Sequence, residues 1–164
     1  MAAIALCYLR ATDLGVAICA KQVSPVVMDA VLARIEHLNP RLDAYGTVTA
    51  AAAHAATQKA KASVMRGDSL GMLHGIPMSI KHPVATQGVC ITHGSKLYEQ
   101  STPDDDAPIV ERLERTGAII LGKTHAPECG HRWGWSRPPR RSAASRHSCT
   151  RTRRTRTVRD AART

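Results

Sequence analysis

The chain has 164 residues, a formal charge of +10, and 43% hydrophobic residues without a single Phe, which is enough for one modest domain with an aliphatic interior. Its five cysteines, Cys7, Cys19, Cys90, Cys129 and Cys149, are odd in number and widely spaced. That pattern argues against a disulfide framework and fits a reducing, cytoplasmic setting. Residues 1–9 are apolar but too few to cross a bilayer, and they lack the basic flank and cleavage pattern of a secretion signal, so no membrane segment and no leader are expected.

Thr12 and Asp13, followed by Leu14, Ala17 and Ile18, predict a short helix capped at Thr12 and weakened by Gly15. Ser24-Pro25 marks a second helix start, and Met28, Val31, Leu32, Ile35 and Leu38 form one stripe; this helix is expected to stop before Asn39-Pro40. Residues 44–49 predict a short strand interrupted by Gly46, and residues 50–66 an alanine-rich helix that Gly67-Asp68 ends. Gly75-Ile76-Pro77-Met78-Ser79-Ile80-Lys81 alternates at strand period. Asp104, Asp105 and Asp106 precede Ile109, Val110 and Leu113, the arrangement of carboxylates at a helix start rather than of a metal cluster. Gly117 closes that helix, and residues 118–121 predict a buried strand. Helices alternating with strands make the fold class α/β with parallel pairing.

Charge divides the chain in two. Residues 1–131 hold 12 Lys/Arg against 12 Asp/Glu, while residues 132–164 hold 11 Arg against Asp160 alone. The second stretch has no Lys, only Val158 as an aliphatic larger than Ala, and both tryptophans, Trp133 and Trp135. It cannot bury enough apolar surface to offset the cost of ordering its backbone, so 1–131 is expected as a partial domain and 132–164 as a disordered basic tail.

Several short patterns suggest chemistry. Gly117 to Thr124 fits G-x-x-x-x-G-K-T, yet a helix precedes it and Ala-Ile-Ile-Leu within it is strand-like, the wrong context for a phosphate loop. His125, Glu128, Cys129 and His131 lie close together without a diagnostic metal spacing. Cys90 near His93 lacks a placed base and reads as inert packing. No metal and no cofactor are implied. Lys81 is different: it ends an apolar strand, where burial would lower its pKa and make it a general base.

The ordered series Leu73-His74-Gly75-Ile76-Pro77-Met78-Ser79-Ile80-Lys81, Gly94-Ser95, Asp106-Ala107-Pro108-Ile109-Val110, Gly117 to Thr124 and Pro127-Glu128 resembles the amidase signature family. Ser24-Pro25 and Asn39-Pro40-Arg41-Leu42 resemble that family's opening segment, so the likeness runs from about Ala11 to His131. It implies the N-terminal part of the amidase-signature fold, with helices packed on a partial mixed or parallel sheet. It also implies hydrolysis of small linear amides by a serine, a second serine in a cis peptide, and a lysine acting through that bridging serine. Lys81 matches the catalytic lysine. Both serines belong to a later glycine- and serine-rich stretch that this sequence lacks: Ser142, Ser145 and Ser148 sit among Arg, Ala and His. Ser79 shares a strand face with Lys81, but the family does not use that position as nucleophile. His82 stands where the family usually has Asp, and His125 and Cys129 replace a polar residue and a Phe. The chain is therefore expected to be catalytically incomplete, and nothing in it sets an oligomeric state.

The tail's Arg, Thr, Ser, Ala and Pro are what a GC-rich gene yields out of frame, and a frame shift or truncation near codon 131 is the expectation. The alternative partner for the tail is nucleic acid, bound nonspecifically through arginines on phosphates and tryptophans on bases.

Overall fold

The computed structural model describes residues 3–22, 25–93, 98 and 100–126. A single turn, α1 (Ala3–Leu6), leads into α2 (Ala11–Cys19), α3 (Pro25–Leu42), β1 (Tyr45–Val48), α4 (Ala50–Arg66), β2 (Pro77–Lys81), α5 (Pro108–Arg115) and β3 (Ile119–Thr124). The strands lie in the order β1-β3-β2. β2 runs parallel to β3 and β1 antiparallel to it, so the sheet is mixed rather than purely parallel. The central strand is the last one, reached from β2 by a crossover that contains α5, as parallel pairing requires.

Two apolar clusters hold these parts together. Leu6, Leu14, Ile18, Val27, Val64 and Ile76 join α1, α2, α3 and α4 to the approach of β2. Met28, Ala53, Ala60, Ile119 and Leu121 press α3 and α4 onto β3, with Val31, Leu32 and Ile35 beside them. The stripe read from the sequence thus turns inward, and alanines at 53 and 60 let α4 approach the sheet closely. Burying these aliphatic side chains stabilises the fold by about 1.5–3 kcal/mol for each large one.

Helix ends depart from the sequence expectation at two places. α2 begins at Ala11, before Thr12, and has no side-chain cap; Asp13 instead pairs with Arg10 at 2.8 Å. α3 runs through Asn39-Pro40 to Leu42, although Pro40 removes one i→i−4 hydrogen bond from its final turn. Asn39 then builds the exit: its Oδ1 accepts the N–H groups of Ala44 and Tyr45 at 2.9 and 2.8 Å, and its Nδ2 donates to Tyr45 O at 3.0 Å. The aspartate triplet lies at a helix start as expected, since α5 begins at Pro108 directly after Ala107, though no side chain caps it. Asp106 accepts Gln87 N–H at 2.6 Å, and Gln87 Nε2 donates to Asp104 O at 2.6 Å, so the segment clasps a neighbouring loop. α4 matches the expected 50–66 and ends at Gly67, whose φ of 77° is the left-handed cap that glycine favours.

Candidate functional site

Lys81 is the last residue of β2 and pairs in register with Thr124. Ile80 is buried at 5% exposure, and Lys81, next along the strand, turns to the other face and is exposed. The expected burial of Lys81 is thus not met, because strand alternation gives the covered face to Ile80. Ser79 shares the Lys81 face, and its Oγ hydrogen-bonds the Tyr45 hydroxyl. Tyr45 comes from β1, on the far side of β3, so its side chain reaches across the central strand.

The buried lysine is Lys123, on β3. It has 0% exposure, and its Nζ donates to Val84 O and, at 3.0 Å, to Thr86 Oγ1. Burial pushes its pKa down to about 8, a shift that the charge of Asp106 opposes. Sequence reasoning missed this role; that Lys123 directly follows the run Ile119-Ile120-Leu121-Gly122 hints at a longer strand but not at a buried amine. The strand extends three residues beyond the expected 118–121. It therefore passes straight through the G-x-x-x-x-G-K-T pattern, leaving no loop of inward N–H groups to cradle a phosphate.

His82 follows Lys81 and anchors the end of β2, its N–H donating to Thr124 O at 2.9 Å. The ring is buried at 6% exposure, and its Nε2 accepts the Thr92 N–H at 2.9 Å and lies 2.7 Å from Thr92 Oγ1. Burial first, then the charges of Lys123, His125 and His93, lower its pKa from 6.5 to about 4. With Nε2 accepting, the proton of the neutral ring is on Nδ1. The carboxylate expected of the family at this position is replaced here by a neutral ring held to a loop.

His125 lies 3.3 Å from Asp43 and 6.5 Å, ring to ring, from His82. Its ring sits over Gly46, where an added Cβ would come within 2.9 Å of it. Of the group His125, Glu128, Cys129 and His131, only His125 is among the described residues, and there no set of three His, Cys, Asp or Glu side chains could hold a metal ion. Cys90 is buried at 3% and packs at the far end of the loop that follows His82. The tail, with Trp133, Trp135, Ser142, Ser145 and Ser148, lies outside the described residues. Among the described residues no helix is long and apolar enough to cross a membrane.

The arrangement is therefore an open sheet face bearing one exposed amine beside a Tyr–Ser hydroxyl pair, backed by a second, buried amine. An exposed amine there can exchange a proton with a hydroxyl brought to that face. A family model described as Amidase matches residues 26–141. A glutamyl-tRNA(Gln) amidotransferase subunit of Anaeromyxobacter sp. (strain K) is 36% identical over 149 residues, covering 82% of this chain and 30% of that protein. The protein of that name from Carboxydothermus hydrogenoformans is 37% identical over 124 residues, covering 75% and 26%. Among solved structures, the native peptide amidase from Stenotrophomonas maltophilia superposes with a TM-score of 0.71 at 29% identity, over 76% of this chain and 26% of that one. The chain thus spans about 30% of the length of the curated relatives it matches.

Proposed function

Because this chain belongs to the amidase family, we propose that it supplies the lysine of a serine, serine and lysine site that hydrolyses small linear amides, with Lys81 as the general base. The observation that carries this reading is the placement of Lys81: it ends a parallel strand, faces an open side of the sheet, and has Tyr45, Ser79 and Thr124 around it on that face. The C-terminal ends of parallel strands are where α/β sheets commonly place their reacting groups.

In the proposed reaction the Lys81 amine takes a proton from a bridging serine, which takes one from the nucleophilic serine as that oxygen attacks the amide carbon. The proton returns to the leaving amine, and water completes the cycle through the same relay. Backbone N–H groups near the nucleophile hold the developing oxyanion. Both serines and those N–H groups come from a glycine- and serine-rich stretch that the 164 residues do not contain. The chain by itself is therefore inactive, since a base without a nucleophile cannot begin acyl transfer. A place within an amidotransferase of several subunits belongs to the same reading, supported by the name of the curated relatives. A shifted reading frame from about codon 131 accounts for the arginine-rich composition of the tail. A downstream frame encoding the glycine- and serine-rich stretch is the expected finding in the gene.

Exposure of the purified chain to a fluorophosphonate probe and to a simple peptide amide tests the division of labour. No serine is labelled and no ammonia is released. Labelling of Ser79, or of a serine in the tail, overturns the assignment of the nucleophile to absent residues.

A further inference from the structure

The loop that leaves Lys81 is tied to the sheet by two buried bases. At one end Lys123 donates to Val84 O and Thr86 Oγ1, and at the other the His82 ring accepts the N–H of Thr92. Backbone bonds also join the loop to another segment, Ala107 N–H to Ala85 O, Gly88 N–H to Pro103 O and Ile91 N–H to Ser101 O, while Val84 N–H to Lys81 O and Val89 N–H to Thr86 O are local turns. Cys90 and Ile91 are buried by the loop's closed position, yet belong to neither of the two apolar clusters. His93, with φ of 49°, marks a left-handed turn where the loop ends.

We propose that residues 84–92 form an acid-released strap: the unprotonated His82 Nε2 holds it shut over the ends of β2 and β3, and a proton on that nitrogen sets it loose and uncovers Cys90. The geometry favours this direction. Nε2 has one lone pair, and the Thr92 amide occupies it at 2.9 Å; a proton there would face the Thr92 N–H, donor against donor, and its nearest acceptor, Thr92 Oγ1 at 2.7 Å, is reached only by giving up that amide bond. The other ring nitrogen gives no relief, since Nδ1 is buried with no hydrogen-bond partner, so an imidazolium would carry an unsatisfied charge in the interior.

The surrounding charges act in the same sense. Lys123 on β3, His125 just beyond it and His93 at the loop's end all face His82 as cations or potential cations. The carboxylates nearby are committed elsewhere, Asp43 to His125 at 3.3 Å and Asp106 to the Gln87 amide at 2.6 Å. A histidine whose closed-state pKa lies below its open-state value binds its proton on opening, so closure is complete above 6.5 and weakens as pH falls toward about 4. The opening constant then rises by close to tenfold for each pH unit in that window.

Thiol labelling of the full chain with a dithiodipyridine, followed by peptide mapping, reads the strap directly. Cys19 is exposed and serves as the internal standard for reagent chemistry. The expected result is a Cys90 to Cys19 rate ratio that climbs by roughly tenfold per pH unit below 6.5 and levels off near 4, while far-ultraviolet circular dichroism stays constant. His82→Asn, whose amide oxygen can still accept the Thr92 N–H, flattens the profile. Lys123→Met removes a facing cation together with one of the two ties, so it raises the ratio at every pH and moves the midpoint to higher pH, which keeps the test alive should His82→Asn fail to fold. A flat ratio in the unsubstituted chain, a profile unchanged by both substitutions, or loss of circular dichroism in step with labelling overturns the proposal.

Discussion

Lys81 and Lys123 sit on neighbouring parallel strands one step apart in register, since Ile80 pairs with Lys123 and Lys81 with Thr124. One is exposed on the open face; the other has 0% exposure and closes a loop. The lysine that best fits the physical recipe for a base, buried with a pKa brought down to about 8, is spent on structure, with its ammonium protons on Val84 O and Thr86 Oγ1. The lysine with the open face is the one free to meet a hydroxyl. On the proposed assignment of Lys81, burial alone separates structural from reactive amines poorly, and what a side chain faces decides.

Substitutions at the two lysines sharpen that contrast. Lys123→Ala should cost about 3 kcal/mol in thermal or urea unfolding, from the cavity it leaves and from two buried oxygens losing their donor. Of comparable size is a pH effect. The unfolded chain holds the Lys123 proton up to 10.5 and the folded chain releases it near 8. Between those values the unfolded state binds more protons, so stability should rise with pH by about 3 kcal/mol. Urea midpoints across that range should show the rise, and Lys123→Ala should remove it. A smaller loss, about 2 kcal/mol, is expected for Gly122→Ala. Gly122 has φ of 149°, and a Cβ there would strike the Thr47 carbonyl, separating β1 from the strand that carries Lys123. Lys81→Met should change unfolding by less than about 0.5 kcal/mol, as is usual for exposed side chains. A large loss at Lys81, or none at Lys123, would reverse the roles assigned to them.

How far the sequence foretold these features varied with distance along the chain. Local signals served well: the left-handed glycine after Arg66 and the alanine run before it set α4, and alternation from Gly75 set β2. The apolar stripe from Met28 to Ile35 found its partners on α4 and β3. Pro40 misled because the helix end was held by a contact beyond it, Asn39 bonding backbone groups of residues 44 and 45. Lys123 was the larger omission. Its burial depends on a register irregularity opposite Met78 and Ser79 and on acceptors 37 and 39 residues away, neither of which a periodicity can reveal. His82 was noticed as a departure from a carboxylate, but its partner Thr92 lay ten residues on, across a loop whose path the sequence did not specify.

The central claim, that Lys81 is the reacting amine, is tested most directly in a complete site. Residues 25–126 can be grafted in place of the matching portion of the Stenotrophomonas maltophilia peptide amidase, which superposes on 76% of this chain, and kcat for a peptide amide measured with and without Lys81→Met. The account predicts a hydrolytically active chimaera whose kcat falls by at least about 100-fold on that substitution, with the folded state intact. An active chimaera that keeps its kcat after Lys81→Met contradicts it.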